Sequence, residues 1–276
     1  MKFTSKSSEF RQWASEKEAN IPSNIDDLKV KIHDINHASI EEIGNIKDKI
    51  NKFNCCIYKS QAGLINQANL ISFAQSIGMK TYDSNNIDNS PVSCIMPLKS
   101  KGKINYIPYT NKQLNWHTDG YYDEKPIFSW LLHCEEPASF GGENYLLDHE
   151  LAIREYILKH DNLDSLSRSD AFVIPGNAYA GRDSTKGYIC DINNKYRRFH
   201  MKFSMRKEHM DLNEKSKIAI MRMKKIIKED CKKYYLTYKL SKNEGIVTNN
   251  ILHGRNSFED GKVIRKLYRI RSYERI

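Results

Sequence analysis

From about residue 90 onward the chain consists of short segments in which apolar and polar residues alternate, separated by turn-forming residues. The segments are NYIPY, IFSWLLHC, ENYLLD, AFVIP, GYICDI, YRRFHMKF, GIVTNNIL and RKLYRIRSY. Alternation with period two is the signature of a strand with one buried face, and many such strands divided by turns close into a barrel or jelly roll. Asn193-Asn194 suits a hairpin turn, because Asn tolerates positive φ. One long helix, from about Asn213 to Tyr235, interrupts the strands. Its Ile220, Met223, Ile227 and Cys231 recur at helical spacing, and Lys217, Lys224, Lys225 and Lys228 form its solvated face.

The first 90 residues read differently. The segment to about Pro22 is polar and peripheral, LKVKIHDI is a strand, and SIEEIGNIKDKINKF is a helix. Ser39 and Glu42 open that helix as a capping box, and Ile40, Ile43, Ile46 and Ile50 mark its apolar face. CCIYKS predicts a second strand, and a second helix runs from about Asn66 to Ile77, stopped by Gly78. The expected fold is mainly β with flanking helices, in one domain over residues 1–276. Residues 1–90 pack on a barrel core formed by 91–276, with a helical insert at about 213–235.

The balance of 39% hydrophobic and 28% charged residues suits a chain that buries a core, not a disordered one. The formal charge of +10 admits anionic partners, but the cations are spread along the chain with no dense block. None of the six cysteines forms a C-x-x-C pair, so no disulfide framework or zinc knuckle is suggested, and Cys55 and Cys56 read as small core residues. No apolar run reaches signal-peptide or membrane-span length, which points to a reducing cytoplasm and no membrane partner.

The segment Asn115-Trp116-His117-Thr118-Asp119-Gly120 carries the chemistry. On an extended strand His117 and Asp119 face the same way, so an imidazole nitrogen and a carboxylate oxygen converge. One distant histidine would complete a facial triad of two His and one carboxylate, which leaves positions on iron(II) for a chelating cosubstrate and for oxygen. Three H-x-acid matches occur. His133-Cys134-Glu135 lies in the strand segment FSWLLHCEEP and reads as an ordinary sheet histidine. His209-Met210-Asp211 precedes the long helix, where Asp211 or Asn213 can act as its N-cap. The distant ligand is best supplied by His253, which ends the run TNNIL and is followed by Gly254, a residue that lets backbone approach a ligand closely. Arg265, twelve residues further on, has the planar fork that can grip the far carboxylate of 2-oxoglutarate.

With NWHTD (115–119), GGENYLLD (141–148), LHGRNSF (252–258) and RKLYR (265–269), the chain resembles the taurine dioxygenase (TauD/TfdA) family, which includes clavaminate synthase-like and γ-butyrobetaine hydroxylase-like enzymes. The N-terminal strand–helix–strand–helix order, ending FAQSIG (73–78), is also similar, so the resemblance spans nearly the whole chain. It implies a double-stranded β-helix core, iron ligands at His117, Asp119 and His253, and a 2-oxoglutarate anchor at Arg265. Asn144 stands where family members often place a Thr that binds the same carboxylate, and it too can donate a hydrogen bond. Arg269 matches a position that faces substrate or cosubstrate. The implied reaction uses iron(II), 2-oxoglutarate and O2 to hydroxylate a C–H bond, releasing succinate and CO2. An acidic residue at 119, not Gly or Ala, favours hydroxylation over halogenation.

The expected substrate is a small, polar, anionic molecule. Asn115, Tyr121 and Tyr122 surround the metal motif with polar and aromatic groups, and Arg182, Arg255 and Arg269 can clamp an acid group. Two other readings stand beside this one. A zinc hydrolase on a similar barrel gives no task to Arg265. A non-catalytic RNA-binding protein, reading the charge and the 16 tyrosines as a stacking surface, lacks any recognisable module; nucleic acid stays open as a partner on charge alone.

Overall fold

The computed structural model describes residues 3–83, 90–97, 109–176, 183–193, 198–206 and 210–276. The first elements are α1 (Ser8–Ala19), β1 (Lys29–Asp34), α2 (Ile40–Phe53), β2 (Cys55–Ala62) and α3 (Gln67–Ile77). Next come β3 (Val92–Ile95), β4 (Leu114–His117), β5 (Ser129–Glu136), β6 (Phe140–Gly141), β7 (Asn144–Leu147) and α4 (His149–His160). Then follow β8 (Phe172–Ile174), β9 (Thr185–Gly187), β10 (Cys190–Asn193), β11 (Arg198–Met201), β12 (Asp211–Leu212) and α5 (Glu214–Lys228). The last strands are β13 (Leu236–Tyr238), β14 (Glu244–Thr248), β15 (Leu252–Arg255), β16 (Phe258–Glu259) and β17 (Lys266–Ser272).

The chain forms two compact units. One comprises Pro22–Leu114, Ile127–Leu146 and Leu236–Ile276, and contains a six-stranded sheet of order β1-β2-β14-β5-β17-β3. β1 and β2 pair in parallel and the other neighbours are antiparallel. The N-terminal strands are therefore members of the main sheet. Period two sorts the side chains. Cys56, Tyr58, Leu131, Val247 and Ile270 face one way and pack with Ile43, Ile46 and Ile50 of α2 and Leu70, Phe73 and Ile77 of α3. Cys55, Ile57, Trp130, Leu132, Cys134, Ile246 and Leu267 form a separate cluster on the opposite face. Ser39 and Glu42 make both hydrogen bonds of the capping box, and Gly78 ends α3 at φ 113°. Ile40 departs from expectation: it is 94% exposed, because the buried stripe of α2 begins one turn later.

The other unit comprises Met1–Ile21, Asn115–Pro126 and Leu147–Tyr235, with α1, α4 and α5 beside the sheets β12-β8-β9 and β10-β11. The N-terminal segment forms a docked helix. Phe10 and Trp13 are buried, the Trp13 ring lies 4.9 Å from that of Phe199, and Lys17 reaches Asp148 at 2.6 Å and Glu150 at 2.8 Å. Helix α4 was not anticipated from the sequence. All residues from His149 to Ile157 are buried, so its apolar residues form no stripe for periodicity to find. The long helix ends at Lys228, a 3-10 turn covers Asp230–Tyr234, and Asn213 is the N-cap. The segment GYICDI divides between β9 and β10; the strand expected at NYIPY, the Asn193-Asn194 turn and His209 lie wholly or partly outside the described residues.

Candidate active site

β4 ends at His117, and Asp119 lies not on the strand, as expected, but in the turn that follows Thr118. His117 Nε2 lies 3.5 Å from Asp119 Oδ1, and the Asp119 side chain is 5% exposed. His253 does not end the run TNNIL. That run breaks at Asn249 and Asn250, the latter at φ 52°, and His253 sits inside the next strand, β15. The strand places His253 and Arg255 on one face, Leu252 and Gly254 on the other.

The two histidines are oriented by the same device. His117 Nδ1 lies 2.8 Å from the carbonyl oxygen of Asn115, and His253 Nδ1 lies 2.9 Å from that of Ile251. Donation from Nδ1 to a carbonyl two residues upstream fixes ring and tautomer and makes Nε2 the acceptor nitrogen. The ligand atoms of His117, Asp119 and His253 all lie within 4.8 Å of one another. Two imidazole nitrogens and a carboxylate oxygen at one point fit non-haem iron(II).

Arg265 is 5% exposed, and among the described residues its guanidinium has neither a side-chain hydrogen bond nor an ion pair. It lies 4.9 Å from the centroid of the Phe258 ring, and the Arg255 guanidinium lies 4.6 Å from the same ring. Burial pulls both guanidiniums down to about 10, with the Arg255 charge adding to the effect on Arg265. Both stay charged at neutral pH. Arg255 is committed to structure, donating to the carbonyls of Thr110 and Lys112 at 2.9 and 2.6 Å. Two buried cations beside one ring, with the Asp260 carboxylate engaging Arg265 through its backbone N–H at 2.8 Å, make a setting for an anionic ligand. The Gly141-Gly142 turn, at φ 67° and 78°, runs alongside: a Cβ on Gly142 would lie 3.9 Å from Arg265 Nε.

The remaining sequence candidates fall in different places. Asn144 is 9% exposed, and its Nδ2 donates to the Tyr238 carbonyl at 3.4 Å. Arg269, half-buried on β17, stands opposite Leu132 and Ser93. Asn115 is exposed, and it is its carbonyl that serves the site. Tyr121 is 8% exposed and packs edge-on against Tyr122. Arg182 lies outside the described residues. The expectation for Gly254 is corrected. Its missing side chain makes room for protein, since a Cβ there would overlap the Tyr145 ring and lie 2.5 Å from the Leu114 carbonyl oxygen. His133 is an ordinary buried sheet histidine, bound to Tyr58 Oη at 2.9 Å. Two residues near the site carry no signal in the sequence: Trp130, whose ring lies 4.6 Å from that of His253, and Phe258. Trp130 sits in an apolar strand pattern that marks only core, and Phe258 closes the LHGRNSF segment among polar residues that give its ring no distinguishing spacing.

A mainly β chain with this donor set and a buried arginine that makes no ion pair among the described residues is what a non-haem iron oxygenase of the 2-oxoglutarate type requires. The family model "Taurine catabolism dioxygenase TauD, TfdA family" matches residues 27–271, and the chain belongs to that family. No curated protein matches it in sequence. A taurine dioxygenase from Burkholderia xenovorans superposes with TM-score 0.60 at 14% identity, covering 89% of this chain and 87% of the other. Asparagine oxygenase in complex with Fe(II), 3-hydroxyasparagine and succinate gives 0.61 at 10% identity, covering 96% and 92%. The non-haem iron oxygenase OrfP in complex with Fe, succinate and (3S)-hydroxy-L-Arg gives 0.59 at 12%, covering 84% and 82%. At such identities the likeness establishes the fold, mainly β with a jelly-roll core. The chain is an Fe(II)- and 2-oxoglutarate-dependent dioxygenase, which removes the hydrolase and RNA-binding readings. No helix among the described residues is long and apolar enough to cross a membrane.

Proposed function

We propose that this dioxygenase holds iron(II) through His117, Asp119 and His253 and hydroxylates a C–H bond of a small, polar, anionic molecule, the whole chain acting as one oxygenase domain in the cytoplasm. The observation that carries the ligand assignment is the convergence of the three side chains within 4.8 Å, with both Nδ1 atoms already engaged. The chemistry supplied by bound iron(II), 2-oxoglutarate and O2 is C–H hydroxylation with release of succinate and CO2. The protein's own tasks are orientation and exclusion. Carbonyls of Asn115 and Ile251 keep each Nε2 directed, Trp130 backs the His253 ring, and Arg265 anchors the distal carboxylate of 2-oxoglutarate with help from Asn144.

Support for an amino-acid-like or acidic substrate comes from what two relatives hold, hydroxyasparagine and hydroxyarginine, and from the cation that Arg269 adds on β17. The free thiols of all six cysteines agree with a reducing compartment. The test is a screen of amino acids, sulfonates and carboxylates for stimulated succinate release by anaerobically iron-loaded protein. Stimulation by one of these classes is the expected result. Stimulation by transfer RNA or single-stranded DNA alone would overturn the substrate assignment.

A further inference from the structure

The segment after β11, Lys202–Met205, pairs with the Trp116–Thr118 backbone and reaches past Asp119 to Asp123 and Glu124. Met205 N donates to the Trp116 carbonyl at 2.9 Å, and Ser204 bridges His117 in antiparallel fashion. Thr118 N donates to the Phe203 carbonyl at 3.0 Å, while Phe203 N donates to Thr118 Oγ1 at 3.0 Å. Past Asp119 the chain turns, with Asp123 N donating to the Gly120 carbonyl at 3.0 Å. Lys202 then closes the turn from outside, its Nζ donating to the carbonyls of Asp123 at 2.7 Å and Glu124 at 3.2 Å.

These contacts are unusual in kind. A regular antiparallel ladder would give Phe203 N a main-chain acceptor; here a side chain takes that place. Thr118 is fully buried, so an apolar residue in its position would leave a buried N–H without that acceptor. Lys202 is 3% exposed, a burial that Lys tolerates only when its ammonium is held. It is also walled by Tyr188, whose ring centroid lies 5.7 Å away and whose Oη meets His200 Nδ1 at 2.9 Å. Because Thr118 is pinned through both its N–H and its hydroxyl to one residue, the peptides on either side cannot rotate freely. Those peptides set the directions of His117 and Asp119.

We propose that Lys202–Met205 is the positioning element for the metal-ligand pair. Thr118 through its hydroxyl and Lys202 through its ammonium hold the backbone so that His117 Nε2 and Asp119 Oδ1 meet one ion. Neither residue touches the metal. The inference rests on the reading that His117 and Asp119 are ligands.

The test uses the full chain with Co(II) as a spectroscopic stand-in for iron, together with thermal melting in chelator to record the stability of the metal-free fold. T118S keeps the hydroxyl and should bind Co(II) within about threefold of the unaltered chain. T118A and K202M should weaken binding on the order of 10–100-fold, as loss of a residue supporting a metal ligand does, and should change the visible spectrum. If T118A and K202M melt earlier but bind Co(II) with unchanged affinity and spectrum, the segment is merely structural and the proposal is overturned. Should T118A not fold, K202M is compared with T118S instead, and equal Co(II) affinity and spectrum in those two variants overturns the proposal. A different failure marks the underlying reading: if H117A binds Co(II) as the unaltered chain does, the ligand assignment itself is wrong.

Discussion

His117 Nε2 and Asp119 Oδ1 lie 3.5 Å apart, one at the end of β4 and the other in the turn after it, with the fully buried Thr118 between them. Spacing of this kind suits two donors to one ion. Removal of either side chain should cost about 3 kcal/mol or more in metal binding, the order seen when one partner of a buried charged set is lost. Iron stoichiometry of H117A and D119A, measured colorimetrically after gel filtration, checks this. In contrast, H133A should bind iron in full and lose only stability.

Arg265 should govern the cosubstrate and not the metal. R265A is expected to weaken 2-oxoglutarate by about 2–5 kcal/mol, the cost of truncating one partner of a buried charge pair. R265K, which keeps the charge but not the fork, should recover part of the loss. Initial rates at varied 2-oxoglutarate, beside iron titrations, separate the two effects. An unchanged requirement for 2-oxoglutarate in R265A would move the anchor to Arg269.

His133 makes stability depend on pH. Burial lowers it from 6.5 to about 4, and its Nε2 has no hydrogen-bond partner among the described residues. Above about pH 7 the ring is neutral in folded and unfolded chains alike, so it contributes nothing to the slope. As pH falls from 6.5 toward 4 the unfolded chain takes up a proton that the folded chain refuses, and stability is lost. The full loss is about 3 kcal/mol, since each tenfold drop in proton affinity corresponds to about 1.36 kcal/mol. Urea midpoints at about pH 7.5 and about pH 4.5 should separate further for the natural chain than for H133Q.

Gly254 tests how tightly β15 is held beside His253. G254A should destabilise the fold by roughly 1–3 kcal/mol or more, since the new methyl meets the Tyr145 ring and the Leu114 carbonyl. Chemical denaturation measures it. A neutral G254A would mean that Tyr145 gives way at no cost.

Much of this molecule was legible in its sequence. The H-x-D spacing paired His117 with Asp119, although a turn and not strand alternation places Asp119, while the capping box at Ser39 followed from residue type and spacing. The failures share a physical cause. Helix α4 is buried over most of its surface and shows no stripe. Trp130, beside the His253 ring, sits in an apolar strand pattern indistinguishable from core, because a ring that packs on a polar side chain and a ring that fills a core obey the same burial rule. Beside His253, the space at Gly254 is filled by Tyr145, and one guanidinium nitrogen of Arg255 donates to the carbonyls of Thr110 and Lys112. Which partner claims a polar group is a tertiary fact that spacing does not carry.

The most direct test of the central claim is an anaerobic titration of iron(II) into the chain with 2-oxoglutarate, followed by visible absorption, then by admission of O2 and measurement of succinate. One iron per chain, a charge-transfer band that appears only when both are present, and succinate formation are expected, with all three lost in H253A. Full succinate formation by H253A, or a band that forms without His117 and Asp119, would contradict the claim.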